Sequence, residues 1–180
     1  MADEADIRTL IANMTGERET LLGQIEALSD EEAARASADG EGEAQWSVKE
    51  QCAHLAEMET AYRAWVERAL EDENPDLTGV RGDAVAVPLT EANERPLSEL
   101  VAELRSQRER TLAVIGRLQP GDYDRTATQP VFGTLTVLQW LRSYYRHDRM
   151  HQDQIAGREQ RFKPRYAGGR EPDQRRSPAP

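Results

Sequence analysis

The sequence predicts an all-α protein, a four-helix bundle with long crossover loops. Three observations carry this. Four stretches repeat an apolar residue every three or four positions, no segment is rich in strand-forming residues, and Gly and Pro number only 12 and 9 among 180 residues, too few for a collagen-like or low-complexity chain. That length suits one domain with a substantial core and is short for two. The bundle is expected over residues 1–162, followed by a flexible tail over 163–180.

The first helical stretch runs through Ile7, Leu10, Ile11, Met14, Leu21, Ile25 and Leu28. The second opens at Ser47 with Glu50 three residues on, a capping-box pattern in which the two side chains satisfy each other's backbone amides. It continues through Val48, Cys52, Leu55, Tyr62, Val66 and Ala69. The third follows Pro96 through Leu97, Leu100, Val101, Leu104, Thr111, Ile115 and Leu118 and stops before Pro120-Gly121, both helix breakers. The fourth is expected to begin near Thr134 and carries Val137, Leu138, Leu141, Tyr144 and Ile155, with Gly157 as its stop.

Residues 29–46, acidic and small, and residues 73–96, with four of their prolines and glycines at Pro75, Gly79, Gly82 and Pro88, read as long loops. The second is long for a link between antiparallel neighbours, which implies a crossover. Val85–Leu89 and Pro130–Phe132 are at most short extended pieces, and Arg81-Gly82-Asp83 is taken as chance. The segment from Lys163 to Pro180 mixes Pro, Gly and Arg without apolar periodicity, as flexible ends do.

Net charge is -10, unevenly spread: residues 1–100 hold 24 acids and 8 bases, residues 101–180 hold 9 acids and 15 bases. Complementarity between the halves or between subunits accounts for this better than nucleic acid does, since the basic end lacks interleaved aromatic residues and any binding motif. Mean hydropathy is -0.78, and no apolar run approaches a bilayer crossing. The acidic start MADEADIRTL lacks the order of a secretory signal, so a cytoplasmic protein is expected. Cys52, the single cysteine, can form neither an intrachain disulfide nor a CxxC site; any metal site must use His and carboxylates.

All three histidines, His54, His147 and His151, fall on expected helices. His147 and His151 are four apart, so they project one turn apart from one face, a spacing that grips one ion. They also continue the stripe Val137, Trp140, Tyr144 and Ile155, where core side chains would otherwise stand. A buried imidazole nitrogen without a partner costs roughly 1–3 kcal/mol, and a shared ion removes that cost. His54, on the face of Met58, Ala61 and Trp65, could complete the set, leaving a fourth position for water as in catalytic zinc sites. Zn, Ni or Fe(II) would suit three imidazoles. The same spacing also suits a hydrogen-bonded histidine pair, and the residues alone leave both possibilities standing.

The segments Gln45-Trp46-Ser47-Val48-Lys49-Glu50-Gln51-Cys52-Ala53-His54-Leu55 and Tyr145-Arg146-His147-Asp148-Arg149-Met150-His151 resemble the DinB-like (DinB/YfiT) superfamily, in which a Trp-Ser helix start leads to a His and a distant HxxxH completes the site. The resemblance covers about residues 5–160. It implies an up-down-down-up bundle, frequent homodimerisation, and a divalent metal, Zn or Ni or else Fe, held at His54, His147 and His151. Relatives include metal-dependent hydrolases and enzymes using a low-molecular-weight thiol cosubstrate, among them maleylpyruvate isomerase and mycothiol or bacillithiol S-transferases. The isomerase branch has Glu where this chain has His147, which favours the three-His branch. The implied function is metal-dependent hydrolysis or thiol S-transfer on a small molecule; the alternative is a non-catalytic, stress-related or metal-binding bundle.

For hydrolysis a carboxylate near the ion is useful, and Glu57, three residues beyond His54, is the candidate. Glu50 could orient His54 but already has its capping role. Asp148 either supports the pair or faces solvent. Tyr144 and Trp140 are expected in the core, as is Cys52, which turns away from His54 on a helix.

Overall fold

A computed structural model describes residues 2–37, 42–80 and 89–162. Four long helices form the bundle: α1 (Glu4–Glu26), α3 (Val48–Glu71), α4 (Leu97–Ile115) and α5 (Val137–Ile155). The Ser47 capping box is present, with Ser47 Oγ accepting from the Glu50 amide at 3.1 Å and the Ser47 amide donating to Glu50 Oε2 at 2.9 Å. Helix α1 begins before its first apolar residue because Asp3 and Asp6 build a capping box of their own.

Two stretches differ from expectation. The acidic loop after α1 contains a short helix, α2 (Asp30–Ala33), capped by Ser29 and Glu32, and a 3₁₀ turn at Gly42–Gln45. Before α5 lies a hairpin, β1 (Thr126–Gln129) against β2 (Gly133–Thr136), antiparallel with Thr126 opposite Thr136 and Gln129 opposite Gly133. Thr134, expected to open the fourth helix, belongs to β2. The helix starts at Val137 because Thr136 caps it, its hydroxyl accepting from the Gln139 amide. Pro130–Phe132 form the hairpin turn instead of an extended piece. Gly157 follows α5 with φ +62, a left-handed conformation that ends helices.

Helix directions follow from who packs with whom. The start of α1 (Leu10, Met14) meets the end of α3 (Trp65, Ala69), the end of α4 (Val114, Ile115) and the start of α5 (Val137, Leu141). The end of α1 (Leu21, Ile25) meets the starts of α3 (Cys52, Leu55) and α4 (Leu97, Leu104). Thus α3 and α4 both run against α1 and α5 runs with it, an up-down-down-up bundle. Parallel α3 and α4 require the long crossover between them, as expected. Among the described residues no helix is long and apolar enough to cross a membrane. Arg81-Gly82-Asp83, Val85–Pro88 and the expected tail over 163–180 lie outside the described residues.

The core also holds charge. One residue from each long helix, Arg18, Glu59, Arg108 and Asp148, is at most 4% exposed. Arg18 bridges Asp148 and Glu59, both at 2.7 Å, and donates to the Leu104 carbonyl at 2.7 Å. Arg108 meets Glu59 at 2.8 Å and Asp148 at 2.9 Å, and donates to the Met14 carbonyl. The two positive and two negative charges cancel. Burial alone would raise the Asp148 carboxyl, but Arg108 and Arg18 hold it below the ordinary carboxylate range. Asp148 is therefore a core ion-pair residue and does not face solvent.

Candidate metal centre

The three histidines converge. His54 stands in the second turn of α3, His147 and His151 in the second half of α5, and the opposed run of these helices brings them level. His147 Nε2 lies 3.1 Å from His54 Nε2 and 3.1 Å from His151 Nε2. His54 and His151 are buried and His147 is half-buried.

A carboxylate completes the group. The 3₁₀ turn carries Glu43, 4% exposed, with Oε1 3.5 Å from His54 Nε2 and Oε2 3.6 Å from His151 Nε2. One donor atom from each of Glu43, His54, His147 and His151 lies within 4.8 Å of all the others. Glu57, the carboxylate expected from its distance to His54 in the chain, is half-buried on α3 and lies outside this group. Glu43 sits among several acidic residues of a loop, and no local pattern sets it apart.

The elements around the group hold it closely. The Trp46 amide donates to the Glu43 carbonyl at 3.1 Å, and the Trp46 ring stands edge-on to His54 with centroids 5.1 Å apart. Gln51, one turn into α3, reaches His151 Nδ1 with its Oε1 at 2.9 Å. Gln51 lies in the segment from Gln45 to Leu55, but nothing in the sequence points to this role, because its partner is 100 positions away. Trp140 and Tyr144 lie in the core as expected; Trp140 Nε1 and Tyr144 Oη are buried without hydrogen-bond partners.

Electrostatics keep the imidazoles neutral. Burial, then the His147 ring, holds His54 well below the ordinary 6.5. Burial, then His147 and His54, does the same to His151. For His147 burial dominates and lowers it to about 4, against the opposing pull of Asp148. Neutral imidazoles are the form that binds metals.

The donor set fits a divalent ion better than it fits hydrogen bonds alone. A neutral imidazole nitrogen carries one proton or one lone pair, so His147 Nε2 cannot make a full hydrogen bond to both neighbours. A cation accepting all three lone pairs satisfies them together. The observed 3.1 Å separations lie close to the roughly 3.3 Å between tetrahedral nitrogen ligands on zinc. Cys52 takes no part: it is 1% exposed, and burial pushes its thiol up to about 12, leaving it protonated and inert.

Fold and site together define a class, the helical bundles whose interior carries a His and carboxylate set able to hold a divalent ion. Within that class the chain belongs to the DinB superfamily, whose family model matches residues 13–155. It is similar to the uncharacterized protein YuaE of Bacillus subtilis (strain 168), with 24% identity in an alignment of length 157 that covers 73% of this chain and 86% of YuaE. Its fold is that of YfiT from Bacillus subtilis, with a TM-score of 0.73, 19% identity and 87% of each chain covered. YfiT is described as a probable metal-dependent hydrolase with an unusual four-helix bundle topology.

Proposed function

We propose that this chain is a divalent-metal-dependent hydrolase of a small molecule, with His54, His147 and His151 holding the ion and Glu43 serving as the proton-transfer group. The observation that carries this is the meeting of three neutral imidazole nitrogens, two of them 3.1 Å from the third, with a buried carboxylate at the same point. When bound, such an ion supplies Lewis acidity, polarising a substrate oxygen and making water more acidic. The chain's own residues do the rest. Glu43 takes a proton from the attacking water at a carboxylate oxygen and returns it to the leaving group. Trp46 against His54 and Tyr62 against His147, backed by Tyr144 and Trp140, keep bulk water from the buried side.

Hydrolysis is favoured over thiol transfer by Glu43, since both nucleophiles must pass a proton to an acceptor but water, with a pKa of about 15.7, depends on a positioned base far more than a thiol that ionises at about 8.5. The inert Cys52 offers no internal thiol for either reaction.

The test is elemental analysis of the full chain after exposure to Zn, Ni or Fe(II), followed by an ester and amide substrate panel. Wild type is expected to hold about one ion per chain, and His147→Ala much less. Glu43→Gln is expected to keep the ion while turnover drops by roughly 10²–10⁴-fold. A wild-type chain that takes up no ion would end the proposal. A chain that binds the ion and is stabilised by it, yet turns over nothing on the panel, would make it a non-catalytic bundle.

A further inference from the structure

Gln51 joins two groups of opposite character. Its Nε2 donates to the Trp46 carbonyl at 3.1 Å, and its Oε1 faces His151 Nδ1 at 2.9 Å. The Trp46 carbonyl can only accept. That carbonyl therefore decides which end of the Gln51 amide is nitrogen. The amide oxygen is left toward His151, and an oxygen requires a proton on Nδ1. A neutral His151 with its proton on Nδ1 has a bare lone pair on Nε2, the atom 3.1 Å from His147 Nε2. Gln51 is 3% exposed and His151 0%, so water does not compete for either bond. His54, by contrast, has a buried Nδ1 with no hydrogen-bond partner.

From this geometry we infer that Gln51 is a positioning residue: through the Trp46 carbonyl it locks His151 in the Nδ1–H tautomer and turns a lone pair toward the ion site. Its consequence for metal affinity rests on the function proposed above; the tautomer itself does not. A proton on Nε2 would stand where the ion needs electrons, and the lock removes that competing form before any ion arrives. His151 is then the prepared ligand of the three, and Gln51 sets its readiness. Partners of this kind are worth about 10–100-fold in metal affinity.

The experiment compares wild type, Gln51→Met and Gln51→Glu as full chains. Methionine keeps the volume and loses both polar groups. Glutamate keeps the acceptor for His151 and loses the donor for Trp46. Nitrogen-detected NMR of the metal-free proteins reads the His151 tautomer, Zn²⁺ titration against a competing chelator reads affinity, and thermal melting reads stability. Wild type should show Nδ1–H at His151. Gln51→Met should lose that form and bind Zn²⁺ about 10–100-fold more weakly, while Gln51→Glu should retain the tautomer and most of the affinity despite a lowered melting temperature. A purely structural Gln51 would give affinities that track melting temperature in both variants, overturning the inference. So would a wild-type His151 protonated on Nε2. Failure of wild type to bind Zn²⁺ with the tautomer still on Nδ1 would sink the proposed function and leave the lock standing.

Discussion

The hydroxyl of Tyr144 is buried, its residue 2% exposed, with no hydrogen-bond partner. An unsatisfied buried hydroxyl costs about 1–3 kcal/mol, so Tyr144→Phe is expected to raise stability, by about 1 kcal/mol in a urea melt; a loss of stability would mean that the hydroxyl has an acceptor after all. At this scale the sequence was legible for the histidines and much less so for their neighbours. His147 and His151 declare themselves because four positions is one helical turn. Glu43 and Gln51 do not, because their partners come from another element. Glu57 is close to His54 in the chain, but the carboxylate that reaches the imidazoles comes from a separate turn. A second residue-scale prediction concerns Glu17, which accepts from Arg149 Nε at 3.0 Å and from Gln152 at 3.0 Å. Burial would raise its carboxyl, but these two hydrogen bonds, with the Arg149 charge, lower it below the ordinary 4.5. The ionised form thus stabilises the fold above pH 4.5, and the contribution fades as pH falls through the depressed value. Glu17→Gln should cost about 1 kcal/mol at neutral pH and progressively less as pH falls below 4.5, measured as urea midpoints across an acid series.

At the scale of elements, caps and periodicity explain most of what forms. Ser47 both accepts from the Glu50 amide and donates to Asn93 Oδ1 at 2.6 Å, which joins the start of α3 to the crossover before α4. Ser47→Ala is expected to cost about 1–2 kcal/mol in the denaturant midpoint; a neutral result would show that neither bond matters. The hairpin leaves little trace in the sequence for a definite reason. Its strands are four residues each and rich in threonine, and they are held from outside: the Leu77 amide donates to the Thr128 carbonyl at 2.8 Å and the Thr128 amide to the Pro75 carbonyl at 2.9 Å. No window along the chain contains those bonds. The short helix α2 was hidden differently, since three of its four residues are acidic and its stability comes from the Ser29 and Glu32 cap.

For the whole molecule, the four-charge network is the feature that unites the bundle. Each long helix contributes one member, and the network sits beside the histidines, Asp148 following His147 and Glu59 lying five residues past His54. Removing one partner leaves a buried charge uncompensated. Arg108→Met should therefore cost about 3–5 kcal/mol, whereas replacing all four by size-matched apolar residues should cost far less or stabilise. Chemical denaturation of both variants tests this. Equal losses would mean that the charges contribute by packing and not by pairing.

What the sequence determined by itself was local: four amphipathic helices, the Ser47 start, the one-turn spacing of His147 and His151, and the inert burial of Cys52. These depend on interactions within a few residues, so a window along the chain contains their cause. The direction of each helix came from resemblance and not from periodicity, which is the same whichever way a helix runs. The joining of His54 to the pair was likewise implied by resemblance, and tertiary structure alone decided that Glu43 joins them, that Gln51 reaches His151, and that Arg18, Glu59, Arg108 and Asp148 are interior. A charged or polar side chain is tolerable in a core only beside its partner, and that partner is supplied by how distant segments pack.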